Sequence, residues 1–196
     1  MRFALLLFLL LKVSPAVLGQ DTLLFLNGKS MHADSISFNG HTVQLISRTG
    51  KRQHAINPYR VFSIRHTSGE IQMVYTPDPS DPMDLNEEQM GLFIKGEQDA
   101  NKYYKNNINK AAAFAVGAGS SFFTIYGLII PPLYATAVGA FTPKMNLSDL
   151  SDSPYINNTY YCEGYQKKMR DRKIRNALVS GLAGFAAGFI TLTLVK

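Results

Sequence analysis

Two long stretches without a charged residue constrain this chain more than anything else in it: residues 111–143 and residues 177–195, the second closed by Lys196. In the first, AAAFAVGAGSSFFTIYGLII fills residues 111–130 and meets Pro131-Pro132, after which LYATAVGAF stays apolar to residue 141. Twenty helical residues extend about 30 Å, the thickness of a bilayer's hydrocarbon core. Such stretches are either folded as a soluble helical pair over other structure or placed in lipid. Nineteen consecutive uncharged residues at 177–195 suit lipid better. Proline lacks an amide hydrogen and clashes with the preceding turn, so the double proline should break or kink the first stretch. It is then one span plus an interfacial piece, or a helix–break–helix that re-enters.

Small residues recur along both stretches at helical spacing. Ala113, Gly117 and Ser121 fall four apart, as do Ser180, Gly184 and Gly188, with Ala177 and Gly181 beside them. Water does not drive helices together inside lipid, so close backbone approach along such flat stripes matters more there. The two stripes point to a hairpin of two membrane segments zipped along these six positions. Between the segments, residues 144–176 carry seven Lys or Arg, six of them in the nine residues Lys167, Lys168, Arg170, Arg172, Lys173 and Arg175 occupy. That run suits a cytoplasmic loop by the positive-inside tendency, or a seat on anionic headgroups. Lys95, Lys102, Lys105 and Lys110, ahead of the first segment, blur the asymmetry.

The N-terminus has the form of a secretory signal. Met1-Arg2 is followed by the apolar run FALLLFLLL over residues 3–11, then Pro15, then Val17-Leu18-Gly19 ahead of Gln20. Cleavage is expected between residues 19 and 20. An uncleaved anchor is the alternative, against which the run is short for a span. With residues 1–19 removed, the net charge falls from +6 to +4 as Arg2 and Lys12 leave. So small and scattered an excess does not argue for nucleic acid. The single cysteine, Cys162, excludes an internal disulfide.

Residues 20–76 spell a small all-β module. TLLFL, MHADSISF, HTVQLIS, KRQHAI, VFSIRH and EIQMVYT are separated by Asn27-Gly28, Asn39-Gly40, Thr49-Gly50, Asn57-Pro58 and Ser68-Gly69. Short β-branched and aromatic runs split by such pairs are hairpin signals. Five or six of them in so short a span suit a meander closing into an antiparallel barrel or a sandwich. A proline- and aspartate-rich linker occupies residues 77–86. Asn86, with Gln89 three residues on and Glu87 and Glu88 in the first turn, starts a helix. Met90, Phe93, Ile94, Tyr104 and Ile108 give that amphipathic helix a reach of 87–108, in a segment ending at residue 110, with Gly91 and Gly96 as its weak points. The expected class is α+β: the β module, the amphipathic helix, the apolar segment 111–143, the basic loop 144–176 and the apolar segment 177–196.

Reactive chemistry is thin. His32, His41, His54 and His66 show no ligand spacing, and no phosphate loop, nucleophile elbow or HExxH occurs. Asn146 and Asn157 fit glycosylation acceptors, relevant only for a lumenal loop in a eukaryotic host. No catalytic, cofactor or metal residue is assigned.

Several patterns resemble those of a widespread group of Bacteroidota-type envelope proteins. DTLLFLNG at 21–28 is similar to an opening D-x-L-x-x-x-N-G, and VFSIRHTSG at 61–69 to a closing V-x-x-I-x-x-x-x-G. GEQDANKYY at 96–104 resembles G-x-x-D-A-x-x-Y-Y. SPYINNTYYCEGYQKKMRDRKIRNAL, from Ser153, resembles a run D-x-x-Y-x-x-G-Y-x-x-x-x-x-x-x-K, with Ser153-Pro154-Tyr155 departing in spacing. That group has no established reaction. The resemblance implies an exported β module and a Gly-rich membrane end, and adds no activity. The expected function is a non-enzymatic, membrane-anchored envelope protein, inner membrane rather than outer. Its partners would be membrane lipid, a second copy through the Gly-rich helices, and an envelope protein bound by the β module. A small pore lined at the Pro131-Pro132 break is the alternative, and a metal or hydrolytic enzyme a more distant one.

Overall fold

The computed structural model describes residues 20–46, 53–141, 143–145 and 154–194. The expected signal peptide and the Asn146 acceptor lie outside them. The chain divides into two compact units: Met1–Phe25 with Ser30–Tyr75, and Leu26–Lys29 with Thr76–Lys196.

In the first unit, alternating apolar residues make short strands and Gly-containing turns connect them. The strands are β1 (Asp21–Phe25), β2 (Ser30–Ala33), β3 (Ser35–Phe38), β4 (Val43–Ile46), β5 (Gln53–Ile56), β6 (Val61–Arg65) and β7 (Ile71–Met73). They form two antiparallel sheets, β2-β1-β6-β7 and β3-β4-β5. In β4 the period of two is plain: Val43 and Leu45 face in, Gln44 and Ile46 face out. Leu23, Val61 and Ile64 of one sheet and Ile36, Val43 and Leu45 of the other form one core. Gly40 and Gly69 take φ of 85° and 89°, a region side-chain-bearing residues avoid, at two of the expected turns.

Of the barrel and the sandwich expected for this module, the barrel is not what forms. Among the described residues the two sheets share a core but no strand pairing. Asp34 interrupts the chain between β2 and β3, and the Ile36 amide donates to the Asp21 carboxylate at 2.8 Å. That bond, made to a side chain, marks where the chain changes sheets.

Asp21 also accepts from the Thr67 amide at 2.9 Å and the Thr67 hydroxyl at 3.1 Å, and lies 3.2 Å from His66 Nδ1. Burial alone would raise its pKa, but the hydrogen bonds from Ile36, Thr67 and His66 outweigh that and lower it. Burial likewise works against His66 protonation, and its bonds to Asp21 and Gln72 prevail and raise its pKa. The Asp21 contribution to stability is full above the unfolded value near ~4 and is lost as pH falls through its depressed folded value. The His66 contribution is full below about 6.5 and is lost as pH rises through its raised folded value. Thermal melts followed by the β signal should therefore peak between about pH 4 and 6.5. His66→Gln should flatten the alkaline limb and keep a reduced acid limb, since Ile36 and Thr67 still bond Asp21 while the share from His66 is lost.

The second unit is helical: α1 (Glu87–Tyr103), α2 (Asn107–Ser120), α3 (Ile130–Ala140) and α4 (Thr159–Leu194), with a 3-10 stretch at Ser121–Ile129 between α2 and α3. The Asn86–Gln89 capping box forms as expected. α1 ends at Tyr103 rather than near residue 108: Tyr104 is extended, and Arg172 donates to the carbonyl of Asn101 and to that of Ala100, which also accepts from the Tyr104 amide. The break in the first apolar segment is not at the prolines. It lies at Phe123–Thr124, where Thr124 has φ 56° and ψ −138°. Pro131 and Pro132 sit in the first turn of α3, where a missing amide hydrogen costs nothing. α4 is one rod of 36 residues, about 54 Å long, capped by Asn158, which accepts from the Tyr160 and Tyr161 amides.

Candidate functional site

α4 organises everything in the second unit, and its two halves do different work. The first half, polar on its outer side, carries α1. Gly96 of α1 lies against the Tyr161 carbonyl, and Gly164 of α4 lies against the Phe93 carbonyl; a Cβ on either would overlap that oxygen. This approach buries Ala100, Tyr161, Tyr165 and Met169 as a second core. It also closes over two carboxylates. The Tyr161 hydroxyl donates to Asp99 at 2.9 Å, and Lys95 reaches the other Asp99 oxygen at 3.2 Å. Glu97 is 1% exposed. Lys167 Nζ donates to its Oε1 at 3.0 Å, and Lys168 Nζ lies 3.7 Å from its Oε2, which has no hydrogen bond.

The basic run is therefore largely engaged within the chain. Lys167 and Lys168 face Glu97. Arg170 donates to the Gly139 carbonyl at 2.8 Å and Lys173 to the Phe141 carbonyl at 3.1 Å, which satisfies the end of α3. Arg172 does the same for α1. Of the six, Arg175 alone stands exposed without such a bond among the described residues.

The second half of α4 carries α2 and α3. Gly117 lies against the Gly181 carbonyl and Gly184 against the Phe114 carbonyl. A Cβ on Gly188 would stand 2.7 Å from the Ala118 carbonyl and 2.5 Å from the Ser121 hydroxyl. Ala113, Ala135 and Ala177 meet in one buried cluster. Five of the six small residues named from sequence thus lie along the α2–α4 contact, with Gly181 where Ser180 was expected to lead; Ser180 is half-buried beside it. Higher numbers on α2 meet higher numbers on α4, so the two run parallel. α3 runs the other way, with Pro131 near Gly181 and Gly139 near Ile174. The reversal between them is tight because Gly127 comes against the Ser120 carbonyl. The zipped pair is thus a parallel one, and the returning element is α3.

Outside this seam the bundle is greasy. Asn107–Ala140 and Thr159–Leu194 are each long and apolar enough to cross a membrane, and only 28% and 22% of their apolar windows are buried. A core helix of a soluble protein would be mostly buried. Phe122, Phe123, Ile125 and Tyr126 at the reversal, and Val179, Ile190 and Leu194 on α4, are all exposed.

Sequence reasoning missed Glu97 and Asp99 and took Gly96 for a weak point. The signal was present: Gly96, Asp99, Ala100, Tyr161, Gly164 and Tyr165 occur in two patterns quoted separately above, and they meet at this one interface. His32 and His54 line one pocket of the β unit together with Asp34. His66 joins Asp21 and His32 lies 3.0 Å from the Thr22 hydroxyl. No three of His, Cys, Asp and Glu gather as a metal-holding group among the described residues. Comparison with protein-family models, curated proteins and solved structures returns no match.

Proposed function

We propose that this is a non-enzymatic, membrane-anchored protein of the cell envelope, in which α2, α3 and the second half of α4 sit in lipid. The exported β module then serves for interaction or assembly. The observation that carries the reading is the exposed apolar shell around a seam closed by glycine and alanine: water would penalise that shell, and lipid would not. From Arg175 to Leu194, α4 extends about 28 Å, close to the hydrocarbon thickness. Alkaline carbonate extraction should leave the full chain in the pellet, and release to the supernatant sinks the proposal.

The returning α3 has a consequence for topology. The chain enters with α2 and comes back with α3, so the β module, α1 and the basic half of α4 share one side. This differs from the cytoplasmic loop that charge suggested. In a Cys162→Ser background, Ser37→Cys in the module and Glu163→Cys on α4, both at exposed positions, should react alike with an impermeant maleimide on intact cells. Opposite labelling would overturn the shared side. The Gly184 stripe is already filled by the chain's own α2, so self-association in this reading uses another face.

A further inference from the structure

We infer that the surface meeting anionic lipid headgroups is formed by Lys105, Lys110 and Arg175, and not by the basic run as a whole. This rests on the membrane reading above. Five cations of the run are held by Glu97 or by the carbonyls that end α1 and α3. A cation so held has at least one donor engaged and its head placed by the fold, although Lys167 and Arg170 stay exposed. Lys105, Lys110 and Arg175 are exposed, and no ion pair among the described residues engages them.

They also lie at one level. Arg172 reaches Ala100 and Asn101, and Ala113 meets Ala177 in a single cluster. The chain between residues 101 and 113 therefore stands beside residues 172–177 of α4. All three cations fall in that band, where the polar half of the unit gives way to the apolar shell; Lys102, also exposed there, sits over the ring of Tyr103, 4.7 Å from its centroid. Exposed Asp171 is an acid on α4 one residue before that band. An apolar surface continuous with a ring of free cations, on flexible stems that can reach phosphate, fits the headgroup layer of an anionic leaflet. Each such cation near the surface strengthens the attraction to anionic lipid by roughly fivefold.

The test is the lipid shell of the full chain reconstituted in mixed phosphatidylcholine and phosphatidylglycerol vesicles, read by spin-labelled lipids. Wild type should enrich phosphatidylglycerol several-fold, and high salt should abolish the enrichment. The triple variant K105Q/K110Q/R175Q, with unchanged circular dichroism, should show none. R170Q/K173Q should keep it. Enrichment that survives in the triple variant, or is equally lost in R170Q/K173Q, overturns the assignment, as does wild type without selectivity. Failure of the chain to enter vesicles of either composition overturns the membrane reading as well, so the two failures are distinguishable.

Discussion

Gly184→Leu is expected to destabilise the helical unit by about 3 kcal/mol or more, with Gly119→Ala as the control that does not destabilise. At Gly184 even a single Cβ would overlap the Phe114 carbonyl, a backbone atom that cannot rotate away. Relief requires α2 to move off α4, which opens the contact built from Gly117, Gly181 and Gly188 along its length. A Cβ on Gly119, two residues beyond Gly117 on the same helix, meets nothing within 4 Å. Alanine there should stabilise slightly, by up to about 1 kcal/mol, since glycine is the poorer helix former. Thermal melts of the purified protein in detergent, followed by the helical signal, separate the two. A Gly184→Leu melt coincident with wild type would show that α2 and α4 are not held by this contact.

The second large effect is expected at Glu97. Its carboxylate is buried, while the side chain of Lys168 is 17% exposed and that of Lys167 is 54% exposed. Lys167→Met with Lys168→Met strands a charged acceptor in the α1–α4 interface, at a cost of about 3–5 kcal/mol. Adding Glu97→Leu should recover most of that loss, since an apolar replacement of a whole buried ion group is often close to neutral. The cycle predicts strong non-additivity between α1 and α4 at this site. Simple addition of the three effects in denaturant unfolding would mean that Glu97 is not enclosed by the two lysines. The same enclosure makes the basic run a structural element, which sequence could not distinguish from a loose lipid-binding segment.

Much of the architecture is legible in local sequence. The β turns follow from Asn-Gly and Ser-Gly pairs because those positions need positive φ, and Gly40 and Gly69 have it. The start of α1 follows from Asn86 and Gln89, whose side chains satisfy amides left free at any helix start. Helix ends were harder. α1 stops where Arg172, more than seventy positions along the chain, supplies donors to its last carbonyls, and nothing near residue 104 announces that. The prolines misled for a related reason. Their chemistry forbids the interior of a helix and permits its first turn, and the reversal needed for that arrangement falls at Thr124, a residue with no turn signal.

Uncharged length, small-residue spacing and turn pairs are properties of neighbouring residues, so sequence alone determined that there is a β module, a helical unit and two stretches able to cross a membrane. Which surfaces close on each other is a property of distant residues. The tertiary structure alone decided that the sheets stay separate, that α2 runs parallel to α4 with α3 returning, and that five of six clustered cations are engaged by carbonyls or a carboxylate of the protein. Those outcomes turn on backbone approach at glycines and on carbonyls and carboxylates seeking donors far along the chain, which no local pattern records.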